Sequence, residues 1–247
     1  MKVRIDRLLV ERRLVPSRER AQALILAGRV LVNDQKVEKS GTSVEQDAAI
    51  RLLGDEPRYV SRGGQKLERA LEHWEIDVRG KACADIGAST GGFTDCLLQH
   101  GAASVLAIDT GYGQIDAKLR NDPRVTLMER TNARYLRPED VPGTVDFIAM
   151  DVSFISATLV LPAVAQSLAR KGTGWVVLVK PQFEVGREAI GKGGIVRDEA
   201  AQHAAVEKVK AAMAQLGGQG IEVIESPILG AEGNREFLLH AVMDEAS

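Results

Sequence analysis

Residues 84–94 have the sequence ADIGASTGGFT. A short apolar run begins at Lys81 and ends within this stretch, at Ile86. The run carries an acid, Asp85, near its end; small residues then let the backbone turn sharply, and an amphipathic segment follows. This order predicts a strand, a tight loop and the start of a helix. Glycines suit such a loop because, without a Cβ atom, they allow positive φ angles and let a ligand lie against the main chain. The segment therefore predicts a binding site for a nucleotide-like molecule.

Apolar runs and helical patterns alternate from this segment onward. Helical stretches follow the first, second, fourth and fifth predicted strands, which indicates an α/β fold with a parallel, helix-covered sheet. Ligands bind such sheets at the carboxyl ends of the strands. Asp85, Asp109, Asp151 and Lys180 each close a predicted strand, so we expect all four to face one crevice. The predicted parallel strands span residues 82–86, 104–109, 125–129, 145–151 and 175–180, and a terminal hairpin with an antiparallel last strand spans 221–224 and 236–243.

Two kinds of cofactor compete for this crevice. A dinucleotide-binding loop has the pattern Gly-x-Gly-x-x-Gly with an acid about 20 residues further on, and Asp109 supplies that acid. However, Ser89 occupies the place of the second glycine, which exists so that pyrophosphate can approach the backbone. S-adenosylmethionine has no phosphate, and an acid for its ribose and a small-residue loop for its methionine end suit it well. The pattern favours the methyl donor over the dinucleotide.

The first part of the chain has a different organisation. One short amphipathic helix starts near Asp6, and a second is capped by Ser17 and ends at Gly28. A small hairpin and a strand over residues 48–53 follow. Residues 54–57 then break the strand pattern, which indicates a boundary with the rest of the chain.

Charge is unevenly distributed between these two parts. Residues 1–40 hold ten Lys or Arg against five acids, a net charge of +5. The whole chain has a net charge of −2, which leaves −7 for the remainder. A basic N-terminal part predicts contact with a polyanion; the alternative is an ordinary soluble surface that happens to be basic.

The composition excludes several classes of protein. Two cysteines, Cys83 and Cys96, supply neither a disulfide framework nor a metal quartet. The four histidines are scattered without metal-ligand spacing, so we assign no metal. No apolar run approaches the roughly 20 residues that span a bilayer, so we expect a cytoplasmic protein with no membrane role. The oligomeric state stays open.

The first 60 residues resemble the S4 RNA-binding domain. The resemblance rests on Arg4-x-Asp6, on Ser17-Arg18 at the second helix, and on Gly28-x-Val30-x-Val32-Asn33 after it. In that family, basic side chains around the second helix and the following strand grip RNA. The positions implied here are Arg4, Arg18, Arg20, Arg29 and Lys36, and we add Arg62 from the joint that follows.

Residues 85–94 look like the first motif of the FtsJ-type ribose 2'-O-methyltransferases, which have a Rossmann-like class I methyltransferase sheet. Those enzymes carry a Lys-Asp-Lys-Glu set, and the matching positions are Lys66, Asp151, Lys180 and Glu236, in that order. The resemblance implies S-adenosylmethionine as the cofactor. For Asn132, a role in forming a turn is the alternative to a contact with the adenine. The implied donor contacts are Asp85, Gly87, Ser89, Gly91, Gly92, Phe93, Asp109, Asn132 and Asp151.

Nearly the whole chain is similar to the TlyA group of ribosomal RNA methyltransferases, historically called haemolysins. The resemblance implies an S4-like domain at 1–58, a linker at 59–64 and a methyltransferase domain at 65–247. It implies 2'-O-methylation of cytidine, with ribosomal RNA or ribosomal subunits as partners. Because the S4 pattern begins at Arg4, we expect 23S RNA as the substrate, with 16S RNA as a second candidate. The alternatives are an RNA-binding assembly factor with a vestigial donor pocket and a membrane-active haemolysin.

Methyl transfer to a ribose requires an acceptor for the hydroxyl proton, because the hydroxyl is a weak nucleophile. Lys180 can accept this proton if its amine is neutral. The positive charge of Lys66 favours the neutral amine, whereas the carboxylates of Asp151 and Glu236 oppose it. We predict that Lys180 is the base, that Asp151 and Lys66 orient it, and that Glu236 holds Lys66 or the ribose.

Overall fold

The chain divides into two units between Arg58 and Tyr59. The first unit is Met1–Arg58 and the second is Tyr59–Ser247. The computed structural model describes residues 2–53, 57–230 and 232–244. Residues 54–56, where the sequence predicts a boundary, lie outside the described residues. Each unit has a buried core of its own.

The first unit consists of short helices and short strands. The Oγ atom of Ser17 accepts a hydrogen bond from the Arg20 N–H at 3.2 Å, so the predicted N-cap is confirmed. Gly28 follows the second helix with a φ of +64°, in the left-handed region that favours glycine. The elements are α1 Ile5–Glu11, α2 Arg18–Leu26, β1 Lys2–Arg4, β2 Val30–Val32, β3 Gln35–Val37, β4 Ser43–Glu45 and β5 Ile50–Leu52.

The strands of this unit pair in two groups. β2 lies between β3 and β5, antiparallel to both, which confirms the predicted hairpin and the strand after it. β1 pairs with β4 in antiparallel register, from Lys2 opposite Glu45 to Arg4 opposite Ser43. This second pair was not predicted, because three residues are too few to show a period of two.

The second unit alternates strands and helices as predicted. Several strand boundaries differ from the prediction; among them, β11 begins before the predicted residue 221, and Glu236, predicted inside the last strand, precedes it. The elements are α3 Gly63–His73, β6 Ala82–Ile86, α4 Gly92–Gln99, β7 Ser104–Ile108, α5 Ala117–Arg120, β8 Val125–Met128, β9 Phe147–Met150, α6 Leu161–Leu168, β10 Gly174–Val179, α7 Pro181–Glu184, α8 Glu199–Gln215, β11 Gly218–Glu225 and β12 Phe237–Met243.

The segment 59–64, predicted as a linker, lies inside the second unit. Tyr59 is buried, and the Val60 N–H donates to Oδ2 of Asp95 at 2.8 Å. A Cβ atom on Gly64 would lie 2.2 Å from Cγ of Tyr59, so glycine lets the aromatic ring pack against the start of α3. These residues therefore take part in the fold of the second unit.

One mixed seven-stranded sheet organises the second unit. Its order is β11-β12-β10-β9-β6-β7-β8. The strands β6 to β10 are parallel to one another, whereas β12 is antiparallel to both β10 and β11. This is the class I methyltransferase arrangement, and it confirms the predicted parallel sheet with an antiparallel last strand.

Helices cover both faces of the sheet, so the central strands are apolar on both sides. On one face, α3 and α4 pack on side chains such as Phe147 and Val176. On the other, α6 and α8 pack on Ile148 and Val177, the next residue of each strand. Among the described residues, no helix is both long enough and apolar enough to cross a membrane.

Candidate active site

The loop after β6 passes very close to the end of β9. Gly87 has a φ of +89°, and a Cβ atom there would lie 2.3 Å from the backbone carbonyl oxygen of Asp151. Ser89, at the position of the absent second glycine, adopts a φ of +49°. Gly91, with a φ of +95°, precedes α4. The loop thus needs glycine at position 87 for space, and Ser89 tolerates the left-handed backbone.

Two adjoining cavities flank this loop. The first, of about 360 Å³ and here called the Asp109 cavity, is lined by Asp109 and Asn132. The second, of about 240 Å³ and here called the Lys180 cavity, has Lys180 in its wall. Both are lined by Gly87, Ser89 and Asp151, so they form one continuous site at the carboxyl ends of the parallel strands. Other predicted residues in the wall of the Lys180 cavity are Arg62, Lys66, Asp85, Gly92, Phe93 and Glu236.

Gly91 differs from the other predicted donor contacts. In the described part of the chain, Gly91 lines neither of the two cavities. A Cβ atom on it would lie 2.3 Å from Cδ1 of Leu119. Its contribution in this structure is to the close packing of the loop against α5.

Backbone amides fix the polar residues of the Asp109 cavity. Oδ2 of Asp109 accepts from the Ser89 N–H at 2.8 Å, and Oδ1 accepts from the Gly111 N–H at 2.6 Å. Oδ1 of Asn132 accepts from the Arg134 N–H at 3.1 Å, which is the predicted alternative of a turn-forming asparagine. Asn132 therefore forms a turn and also lines the cavity. Carboxylate and amide oxygens each have two lone pairs, so both side chains can accept further hydrogen bonds.

Two lysine–carboxylate pairs lie in the wall of the Lys180 cavity. Nζ of Lys66 is 2.5 Å from Oε2 of Glu236, and both side chains are almost entirely buried. Nζ of Lys180 is 2.6 Å from Oδ1 of Asp151 and donates to Oγ of Ser153 at 2.7 Å. The structure thus brings all four predicted catalytic residues to one cavity. The contact with Ser153 was not predicted, because a serine after a strand has no distinctive sequence signal.

Asp85 is fully buried beside these pairs. Its Oδ2 accepts from the N–H of Thr94 at 2.9 Å and from the Thr94 hydroxyl at 2.6 Å. Among the described residues, its buried Oδ1 has no hydrogen-bond partner. Burial raises the pKa of Asp85 to about 7, against the opposing effect of the Thr94 hydrogen bonds, and the charge of Asp151 adds to the increase. An unpaired buried carboxylate oxygen is costly, and a bound cation would relieve that cost.

Two of the predicted RNA contacts of the first unit share Asp6 as a partner. Arg4 and Arg18 both bond to this buried carboxylate, at 3.0 and 2.8 Å, and each stays about half exposed. The hydrogen bonds from Arg4 hold the pKa of Asp6 well below its usual range. Nε of Arg29 donates to the Leu53 carbonyl oxygen at 2.8 Å. Arg20 is half-buried near the start of α2, and Lys36 is exposed on β3.

Known protein families account for both units. The S4 domain family matches residues 3–50, and the FtsJ-like methyltransferase family matches residues 59–243. The 16S/23S rRNA (cytidine-2'-O)-methyltransferase TlyA of Mycobacterium tuberculosis is 46% identical over 96% of this chain and 89% of its own length. The chain belongs to the TlyA group of FtsJ-like methyltransferases. It is accordingly an S-adenosylmethionine-dependent enzyme.

Two further similarities extend over most of this TlyA-group chain. The 23S rRNA (cytidine-2'-O)-methyltransferase TlyA of Campylobacter jejuni is 37% identical over 74% of this chain and 71% of its own length. A solved structure of a candidate hemolysin from Streptococcus thermophilus is 44% identical, with a TM-score of 0.76, and covers 99% of this chain and 90% of that one. The TlyA-group fold thus includes an S4 domain and an FtsJ-like domain in one polypeptide.

Proposed function

We propose that the protein transfers a methyl group from S-adenosylmethionine to the 2'-hydroxyl of a cytidine in ribosomal RNA. One observation carries the proposal: two lysine–carboxylate pairs line the same cavity as a buried carboxylate with an unpaired oxygen. The substrate class is supported by the names of the TlyA relatives and by the match of the first unit to the S4 domain.

The residues of the two cavities fit the methyl donor. The donor has an ammonium group at its methionine end, and the unpaired Oδ1 of Asp85 offers a buried anionic partner for a cation. At the other end, Asp109 and Asn132 present oxygen acceptors in the Asp109 cavity for the ribose and adenine. When bound, the donor supplies an electrophilic methyl group on a sulfonium.

Lys180 is the proposed proton acceptor. Its Nζ atom is directed by Asp151 on one side and by the Ser153 hydroxyl on the other, which fixes it in the cavity. A neutral amine there would accept the proton of the ribose hydroxyl as the oxygen attacks. Since displacement of this kind depends on alignment of the reacting atoms, much of the rate should come from this positioning.

Lys66 and Glu236 act as the proposed second pair. Because both are almost completely buried and 2.5 Å apart, removing either one would leave an uncompensated buried charge. We assign to this pair the orientation of the ribose and of Lys180. Lys66 lies on α3, and Glu236 immediately precedes β12.

The RNA base has a proposed contact beside the cavity. Phe154 is 91% exposed, lines the Asp109 cavity and lies 5.4 Å, between ring centroids, from Phe183. Exposed aromatic rings stack on unpaired bases in RNA recognition. The S4-like unit would bind RNA through Arg4, Arg18, Arg20, Arg29 and Lys36, and Arg62 would add a contact at the Lys180 cavity.

The decisive experiment is transfer of a labelled methyl group to isolated small and large ribosomal subunits, followed by mapping of the modified ribose. We expect label on a cytidine 2'-oxygen of the large subunit RNA. Label on both subunits would extend the substrate to 16S RNA. Label on a base, or donor binding with no transfer to either subunit, would contradict the proposed function.

A further inference from the structure

Glu184 is a buried carboxylate that the proposed reaction does not use. Its side chain is only 2% exposed. Its Oε1 atom accepts from the Ala157 N–H at 2.6 Å, and its Oε2 atom accepts from the Ser156 hydroxyl at 2.5 Å. A buried carboxylate is costly unless its oxygens are hydrogen-bonded, so both oxygens of Glu184 are committed to the segment that holds Ser156 and Ala157.

A lysine from another helix completes the contacts of Glu184. Nζ of Lys208, on α8, donates to the backbone carbonyl oxygen of Glu184 at 2.8 Å and lies 3.2 Å from Oε2. Lys208 thus offsets the negative charge and ties α7 to α8. The position of Glu184 is therefore set from two sides.

The segment 151–157 is held at both ends by the single turn of α7. Lys180, the N-cap residue of α7, holds its start through Asp151 and Ser153. Glu184, the last residue of α7, holds its end through Ser156 and Ala157. Four helical residues span about 6 Å, so the two anchoring points keep a fixed separation.

Phe154 lies between the two anchors in a conformation that needs support. Its φ is +64°, which is rare for a bulky residue and persists only where the surrounding structure holds it. Its side chain is nevertheless 91% exposed. The hydrogen bonds of Ser153, Ser156 and Ala157 flank this conformation, and the Phe183 ring lies beside the Phe154 ring.

We propose that Glu184 is a positioning residue for methyl transfer: by holding Ser156 and Ala157, it keeps segment 151–157 in register with Lys180. Among the described residues that line the two cavities, Glu184 is absent, so it acts through Asp151 and Phe154 and not on a ligand. This inference rests on the proposed methyl transfer.

The test is Glu184→Gln in the full-length protein. Glutamine has the same size but offers one acceptor oxygen, and its NH2 group faces the second donor. Because small misplacements near the reacting atoms slow catalysis strongly, we expect kcat to fall about tenfold, while the Kd for S-adenosylmethionine changes less than about twofold. In the protein without donor or RNA, hydrogen exchange of the Ala157 amide should be about fivefold faster, because a neutral amide oxygen is a weaker acceptor than a carboxylate oxygen.

Ser156→Ala provides a second, milder variant that removes one of the two donors to Glu184. We expect a fall in kcat of about threefold, and a double variant with Glu184→Gln that loses less than the product of the two single effects, as residues in one network do. If Glu184→Gln does not fold, Ser156→Ala alone decides: slower turnover with faster exchange at Ala157 supports the inference, and wild-type values overturn it.

Asp146→Asn is the matched control. Asp146 precedes β9 at its other end, and its Oδ2 atom accepts from the Ala82 N–H at 3.0 Å. We expect the control to lower Tm without altering kcat or the exchange of residues 151–157.

Three results would overturn the inference. They are a wild-type kcat in Glu184→Gln, a loss in that variant confined to donor affinity, and an equal loss of kcat in the control at a similar Tm. An inactive wild-type protein would contradict the proposed function, and the exchange measurement would still test the role of Glu184 in holding the segment.

Discussion

At the scale of a single side chain, Lys180 is restrained by two partners. Its Nζ atom is 2.6 Å from Oδ1 of Asp151 and 2.7 Å from Oγ of Ser153, and it lies in the wall of the Lys180 cavity. A neutral amine has two N–H donors for these fixed partners and one lone pair for a third group. The ribose hydroxyl is the third partner that the proposed mechanism requires.

Lys180→Met should abolish most of the methyl transfer while leaving donor binding intact. We expect kcat to fall by about 10²- to 10⁴-fold, the range typical for loss of a general base, and the Kd for S-adenosylmethionine to change less than about threefold. Labelled-donor transfer and calorimetric titration measure the two quantities. Lys210→Met, which removes a surface pair with Glu207, is the control. Near wild-type transfer by Lys180→Met would remove Lys180 from its assigned role.

Asp85 carries the pH dependence that the structure predicts. Since its pKa is raised to about 7, the free protein holds a proton there below pH 7, and a cationic donor must displace it. Donor affinity should therefore fall about tenfold for each pH unit below 7, with one proton released on binding. Calorimetry in buffers of different protonation enthalpy measures that release. An affinity that is constant from pH 5.5 to 7 would contradict this assignment.

The raised pKa of Asp85 also makes the stability of the folded protein depend on pH. A carboxyl whose pKa is raised by folding contributes stability that is fully present below its unfolded value, near pH 4, and lost as the pH rises to 7. Asp85→Asn removes this ionisation, so the variant should be more stable than the wild type at pH 8 and should bind the donor weakly at every pH. Thermal unfolding at pH 5 and pH 8 checks the first expectation, and a variant less stable at pH 8 would contradict it.

At the scale of elements, the loop after β6 and the end of β9 are packed as one unit. Gly87→Ala places a methyl group 2.3 Å from the Asp151 carbonyl oxygen at a φ of +89°, so we expect a loss of about 2–3 kcal/mol in unfolding free energy from strain and overpacking. Donor affinity should fall as well. Gly80→Ala is the matched control, because Gly80 has a φ of +70° with nothing near its missing Cβ; it should lose only about 1–2 kcal/mol, with normal donor binding. Equal effects of the two substitutions would mean that the contact with Asp151 does not matter.

The sequence predicts which residues lie at the strand ends better than it predicts which side chains contact one another. The alternation of apolar runs predicted Asp109, Asp151 and Lys180 as the last residues of parallel strands, and in the structure each directly follows the end of its strand. In contrast, the pair of Lys66 and Glu236 joins residues far apart in the chain, and only the family resemblance linked them. Spacing carries no information about such contacts, because the sheet order that creates them depends on packing of the whole unit.

Hydrogen bonds between side chains were the least predictable part of the candidate site. Glu184, Ser153 and Thr94 have ordinary sequence surroundings, and only the structure pairs them with Ser156, Lys180 and Asp85, respectively. Asn132 shows the opposite case, since both of its predicted roles are compatible: it forms a turn and lines the Asp109 cavity. Local patterns identify turns and strand ends, whereas burial decides which polar atoms lack a partner.

At the scale of the whole molecule, the two units differ in net charge. Residues 1–58 hold twelve Lys or Arg against nine acids, a net charge of +3, and residues 59–247 carry −5, so attraction to RNA phosphates falls on the S4-like unit. Two of its cations, Arg4 and Arg18, share the buried carboxylate of Asp6, which orients them for further contacts. All residues of the proposed donor site belong to the second unit, so changes in the first should alter RNA affinity without altering donor affinity.

Arg20→Gln and Lys36→Gln test whether the first unit contributes to RNA affinity and not to donor affinity. Each should weaken binding to ribosomal RNA and reduce the slope of log affinity against log salt by about 0.7–0.9, the loss of one phosphate contact. The Kd for S-adenosylmethionine and the kcat at saturating RNA should stay at wild-type values, because neither residue lines a cavity in the described part of the second unit. Arg79→Gln, which removes a surface pair with Asp77 in the second unit, is the control and should leave the slope unchanged. A slope that is the same in all three variants would show that RNA is bound by other cations.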